Sequence, residues 1–125
     1  MTHAPEHAVV WSEIPVSDLE KGMKFYAAIT GMALEKETSG EEVFANFKPA
    51  DPMKGVAGHL YRGKPAGDGS GPTIHLAAEG TSEEMMERVK QAGGTVVSPI
   101  IQIPPGRFFY ATDPDGNSIG LFEVA

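Results

Sequence analysis

The chain has 125 residues, 41% hydrophobic and 22% charged, a length that suits one compact domain with a sizeable core. Its formal net charge of -7 argues against nucleic acid or an anionic membrane as the main partner, but not against a small anion in a locally basic pocket. The lack of cysteine excludes disulfides, thiolate catalysis and thiolate metal sites, and 15 glycines with 10 prolines point to short elements and many turns.

The opening MTHAPEHAVV has no basic stretch running into a long apolar one, and no apolar run approaches the ~20 residues of a membrane span. The expectation is a soluble cytoplasmic protein. Residues 1–8 read as a short arm whose His3 and His7 are given no role. Residues 9–16 (VVWSEIPV) form a strand by their β-branched and aromatic content. Ser17 and Glu20 have capping-box spacing. Leu19, Met23, Tyr26 and Ile29 then recur at helical spacing until Gly31 stops the helix. Three short strands follow at 32–37, 42–48 and 56–62, separated by Ser39-Gly40 and a proline-bearing connection at 49–52. This half reads βαβββ.

Residues 63–71 (GKPAGDGSG) are linker-like and flexible by composition. A strand at 73–78 (TIHLAA) precedes a second capping box, Thr81 to Glu84. Met85, Met86, Val89 and Ala92 form the helix's apolar stripe, and Gly93-Gly94 ends it. Strands are expected at 95–98, 107–112 and 118–124, with 102–106 (QIPPG) a loop. Between the last two strands lies Asp113-Pro114-Asp115-Gly116-Asn117. Pro114 presets one dihedral, Gly116 permits positive φ, and the Asp and Asn side chains can bond nearby backbone amides. The second half also reads βαβββ, and it matches the first when slid by about 62 residues, by element order and punctuation rather than identity.

Three stretches carry a family resemblance: EIPVSDLEKGMKFYAAITGM, AGGTVVSPI and DPDGNSIGLFE. They resemble the vicinal oxygen chelate superfamily, which includes glyoxalase I, extradiol dioxygenases and bleomycin-resistance proteins, and the first strand looks closest to its uncharacterised glyoxalase-like branch. The resemblance spans nearly the whole chain. It implies paired βαβββ modules, a cup-shaped sheet around a ligand site, and commonly a homodimer. In metal-dependent members a divalent ion is held by one residue from the first and last strand of each module. Those positions fall here on Trp11, Thr73, Gly120 and one near His59, so Trp11, Thr73 and Gly120 replace ligands.

Strand alternation reads the cup without that ligand set. Trp11 and Glu13 share one face of the first strand, His59 and Tyr61 the same face of a later one, and Thr73 and His75 the face opposite Ile74 and Leu76. Gly120 and Phe122 turn towards the cup. In the aromatic run either Phe108 and Tyr110 or Arg107 and Phe109 do so, the former pair being favoured. An aromatic wall around a few polar groups suits a small molecule. Glu13, His59 and His75 also make a 2-His-1-carboxylate set, or acid–base groups. The plainer alternatives are Glu13 paired with Arg107, a lysine or a histidine, both histidines as satisfied polar residues, and Tyr110 and Phe122 as dimer or core packing. Asp113 and Asp115 are assigned to turn chemistry and Glu123 to the surface.

The resulting reading is α+β: two βαβββ modules, about 8–62 and 72–125, joined by the linker 63–71 into one glyoxalase-like domain, 1–125. Its function is that of a glyoxalase-like protein binding a small molecule in an aromatic-lined cup. One branch is lyase, isomerase or oxygenase chemistry on Glu13, His59 and His75. The other is metal-free, resistance-type sequestering without catalysis, with Trp11, Tyr61, Thr73, Tyr110 and Phe122 as binding residues. The cofactor is undetermined, a divalent ion on Glu13, His59 and His75 being the alternative to no metal. Expected partners are the ligand and a second copy, with no nucleic acid and no membrane.

Overall fold

Alternating apolar residues and glycine-marked turns divide the chain into the elements β1 (Trp11–Val16), α1 (Leu19–Thr30), β2 (Leu34–Ser39), β3 (Glu42–Phe47), β4 (Ala57–Arg62), β5 (Ile74–Ala77), α2 (Ser82–Gln91), β6 (Thr95–Val96), β7 (Ile101–Ile103), β8 (Gly106–Thr112) and β9 (Ser118–Val124). The computed structural model describes residues 2–51 and 55–124, so the connection at 49–52 lies partly outside the described residues. One sheet has the order β1-β4-β3-β2, and the other β5-β9-β8-β6 with β7 also on β8. In each, the first strand lies parallel to the last, β1 on β4 and β5 on β9, and the remaining pairings are antiparallel. The repeat read from the sequence is present as topology.

The loop expected at 102–106 is corrected. Ile101, Gln102 and Ile103 pair with Phe108, Arg107 and Gly106 as a short hairpin, so the second half runs βαββββ. Alternating isoleucines supply the strand, and Pro104-Pro105, lacking amide hydrogens, occupy the turn.

The first helix start is also corrected. Asp18, not Ser17, is the N-cap of α1, its side chain accepting from the Lys21 amide. Ser17 instead donates its hydroxyl and amide to the Asp115 carboxylate, at 2.6 and 3.0 Å. Gly31 closes α1 in the left-handed region at φ 80, where a side chain would be strained. In α2 the Thr81–Glu84 capping box is complete in both directions.

Both helices pack against one face of the sheets and share a core. Phe25, Tyr26 and Ile29 of α1 meet Ile14, Leu60 and Phe47 from the first sheet. Met85 and Val89 of α2, with Phe109, Ile119 and Leu121 from the second, join the same cluster. Each fully buried large side chain contributes about 1.5–3 kcal/mol. Gly22 lets α1 approach its sheet, since a Cβ there would already press on Val16 and Leu60 at 3.2 and 3.3 Å.

The Asp113–Asn117 turn fastens the halves together. Asn117 Nδ2 donates to the Pro15 carbonyl at 2.7 Å, and the Tyr26 hydroxyl to Asp113 at 2.6 Å. The linker is tied here as well, contrary to its flexible composition. Gly69 donates its amide to the Gly116 carbonyl at 2.8 Å, and the Gly67 backbone packs against Gly116.

Candidate functional site

Because Ile14, Val16, Ala45, Phe47 and Leu60 turn into the core, their strand neighbours must turn to the opposite face. On the first sheet that face carries Trp11 and Glu13 of β1, Phe44 and Asn46 of β3, and His59 and Tyr61 of β4. Register places Glu13 beside His59, and Phe44 beside Tyr61. His59 is the hub. It stacks on Phe44 with ring centroids 4.5 Å apart, meets Tyr61 edge-on, and accepts from Trp11 Nε1 at Nδ1 over 3.0 Å.

On the second sheet Phe109 and Ala111 are in the core, so Phe108 and Tyr110 share the outer face with His75 and Phe122. Phe108 stacks on Phe122 at 6.0 Å, and His75 stands edge-on to Phe108 and Tyr110 at 5.3 and 5.6 Å. His75 is exposed as a residue, yet partial burial of its ring desolvates the imidazolium and holds its pKa below the ordinary histidine value. Thr73 precedes β5 and shares a 2.5 Å hydrogen bond with the Ser118 hydroxyl.

The binding residues read from the sequence thus fall into two groups, Trp11 with His59 and Tyr61, and His75 with Tyr110 and Phe122. A crevice of about 860 Å³ touches both, lined in part by Trp11, Thr73, His75, Val9 and Val56. Glu13, His59 and His75 are divided between the two sheets. Glu13 and His59 are neighbours on the first sheet while His75 belongs to the second. Among the described residues no three His, Asp or Glu side chains converge on a possible ion. Arg107 does not pair with Glu13 either. It bonds Glu123 at 2.6 Å and Glu83 at 2.8 Å, and Glu123 also accepts the Ser82 amide and hydroxyl. Those hydrogen bonds hold both carboxyls below their usual range.

The ion implied by the resemblance does not fit the residues at its positions. Trp11 offers an N–H donor already spent on His59, and Thr73 a hydroxyl bonded to Ser118. At Gly120 the obstacle is steric. His75 sits directly opposite on β5, and a Cβ at 120 would collide with its ring, Cγ lying at 2.9 Å.

Phe44 belongs to the site without a sequence-based expectation for it, and Asp113 plays a structural part beyond its turn. Strand content alone does not single out Phe44. Its alternation against Ala45 and Phe47 was the available signal. Asp113 was read as a turn residue, but it is buried and receives a donor from α1.

A family model described as the Glyoxalase/Bleomycin resistance protein/Dioxygenase superfamily matches residues 6–121, and the chain belongs to that superfamily. No curated protein matches it. Among solved structures, a glyoxalase/bleomycin resistance protein from Streptomyces sp. CB03234 is 27% identical with a TM-score of 0.64, over 93% of this chain and 100% of that one. TnmS3, an antibiotic binding protein from the same organism, is 26% identical with a TM-score of 0.63, over 98% of this chain and 100% of its own. A V278E mutant of Zea mays glyoxalase I shares the fold at 21% identity and a TM-score of 0.68, over 90% of this chain and 44% of the maize chain.

Proposed function

We propose that this protein binds a planar aromatic small molecule between its two ring-bearing sheet faces, without a metal ion, as a sequestering protein rather than an enzyme. The observation that carries this reading is the pair of aromatic clusters, Trp11–Phe44–His59–Tyr61 and His75–Phe108–Tyr110–Phe122, on the sides of the sheets turned away from the helices. Rings in edge and offset contact offer further rings both stacking and edge surfaces. Likeness to an antibiotic binding protein supports small-molecule binding. The donor set at Trp11, Thr73 and Gly120 favours binding over metal-assisted chemistry.

The shared core supports treating both modules as one domain. The site is completed by a second copy in this reading. Val9, Val10, Trp11 and Val56 are 64%, 74%, 46% and 43% exposed, and Val9, Trp11 and Val56 line the crevice, so a homodimer would cover them. A net charge of -7 supports a small-molecule ligand over nucleic acid or an anionic membrane, and the proposed place of action is the cytoplasm. Among the described residues no helix is long and apolar enough to cross a membrane.

Trp11 is the sole tryptophan and reports the site directly. Titrating the purified protein with 2-naphthol, quinoline and acridine is expected to give saturable quenching, unchanged by EDTA and weakened by Phe44→Ala or Phe122→Ala. Quenching that requires added Zn²⁺ or Mn²⁺, or no response to any of the three, would overturn the reading.

A further inference from the structure

We infer that Gly120 and His75 act as one unit, with Gly120 the positioning residue that seats an uncharged imidazole as the polar recognition group of the site. This rests on the ring-binding function proposed above. Its further content is the ligand class: a flat ring system carrying a neutral hydrogen-bonding group, such as a phenol, a carbonyl or a ring nitrogen, at its edge.

Gly120 does not adopt positive φ, so its backbone alone would accept any residue. What forbids a side chain is the imidazole paired with it across β5 and β9. The Nδ1, Cε1 and Cγ atoms are the ones lying over Gly120, so the ring turns its Nε2 side away from the β9 backbone. Phe108 and Tyr110 hold it edge-on at interplanar angles of 80° and 66°. Neither ring nitrogen has a hydrogen-bond partner among the described residues, although the Thr73 and Ser118 hydroxyls nearby satisfy each other. With Nδ1 packed over Gly120, the neutral imidazole presents Nε2 alone, one donor or one acceptor according to tautomer, to an uncharged polar edge. The same packing explains why a ligating carboxylate and this histidine exclude each other: the volume a residue at 120 needs is the volume the imidazole occupies.

The test compares 2-naphthol with 2-methylnaphthalene, which has the same shape without the hydroxyl. Wild-type protein is expected to favour 2-naphthol about five- to tenfold by Trp11 quenching, the worth of one hydrogen bond. That preference should vanish in His75→Ala and in Gly120→Ala. His75→Gln, which keeps a donor and an acceptor, should restore part of it. Thermal unfolding supplies a ligand-free arm: Gly120→Ala should lower Tm and shift the His75 ring resonances, and adding His75→Ala should recover much of the lost Tm. If neither naphthalene binds, the ring-binding function itself fails, while the Tm coupling still reports on the pair. If both bind and the preference survives His75→Ala, or if Gly120→Ala leaves Tm and the imidazole signals unmoved, the inference is wrong.

Discussion

The Tyr26 hydroxyl lies 2.6 Å from Asp113 Oδ2, joining the first helix to the turn of the second half across 87 residues of sequence. Asp113 is only 4% exposed, and its carboxylate receives three further donors: the Asp115 amide, the Asn117 amide and Asn117 Nδ2, each within 2.9 Å. Removing one partner of a buried, satisfied acceptor costs about 1–3 kcal/mol. Tyr26→Phe should therefore lower unfolding free energy by that order. Asp113→Asn should lower it more, because it sets an NH2 group among donors. Urea denaturation of both variants checks the ranking, and an Asp113→Asn protein as stable as wild type would contradict it.

The same contact makes an alkaline prediction. Burial first, then the Asp113 charge and hydrogen bond, push the Tyr26 phenol well above the ordinary tyrosine value of 10.0, so the fold retains a proton that the unfolded chain releases. A raised pKa contributes stability that is complete below the unfolded value and fades as pH climbs beyond it. The stability gap between wild type and Tyr26→Phe should hold steady to about pH 10 and narrow above it. Denaturation midpoints measured from pH 7 to 11 test this, and a gap that widens with pH would refute the assignment.

How far the sequence could be read depended on the range of each signal. The Thr81–Glu84 capping box, the Gly31 stop and the inward parity of Ile14, Leu60 and Leu121 are local patterns, and the structure has all three. Ser17 has capping-box spacing to Glu20, three residues on, yet does not cap α1. Its actual partner, Asp115, is 98 residues away and leaves no local trace. The grouping of candidate site residues failed to emerge for the same reason. Parity puts Glu13, His59 and His75 on outer faces, but only strand order reveals that two belong to one sheet and the third to another. The His75–Gly120 register is likewise a consequence of β5 lying parallel to β9, which spacing along the chain does not encode.

The carboxylates around Arg107 should govern part of the acid limb. Glu123 is held low by the Ser82 hydroxyl and amide and then by Arg107, and Glu83 by Arg107. A depressed pKa contributes stability present above the unfolded value of 4.5 and lost as pH falls through the folded one. Glu123→Gln is expected to lower Tm at pH 7 and to flatten the fall in Tm below about pH 4.5. Calorimetry across pH 3–7 measures both, and a parallel acid limb in the variant would exclude the role.

Asp18 and Ser17 are separable by mutation. Loss of an N-cap side chain costs about 0.5–2 kcal/mol, so Asp18→Ala should destabilise by that amount. Glu20→Gln should cost less, under about 1 kcal/mol, since Glu20 completes no capping box and its ion pair with Lys36 is exposed. Ser17→Ala should act through the turn, and its effect should largely disappear in an Asp115→Ala background. Additive losses in the double variant would show that the two residues are not coupled.

Two glycines with similar φ but different surroundings offer the sharpest check on the turn. Gly40 (φ 64) and Gly116 (φ 85) both sit in the left-handed region, where alanine costs about 1 kcal/mol. A Cβ at Gly40 meets nothing within 4 Å, whereas one at Gly116 meets the Gly67 backbone, with Cα at 2.9 Å. Backbone moves far less readily than the end of a side chain, so Gly116→Ala must either undock the linker or shift the turn that holds Asp113 and Asn117. It is expected to cost about 2–4 kcal/mol, combining strain with the lost Gly69–Gly116 hydrogen bond, against about 1 kcal/mol for Gly40→Ala. Faster amide exchange at Gly69 in Gly116→Ala but not in Gly40→Ala would locate the damage at the linker, and equal costs for the two variants would show that the linker contact contributes nothing.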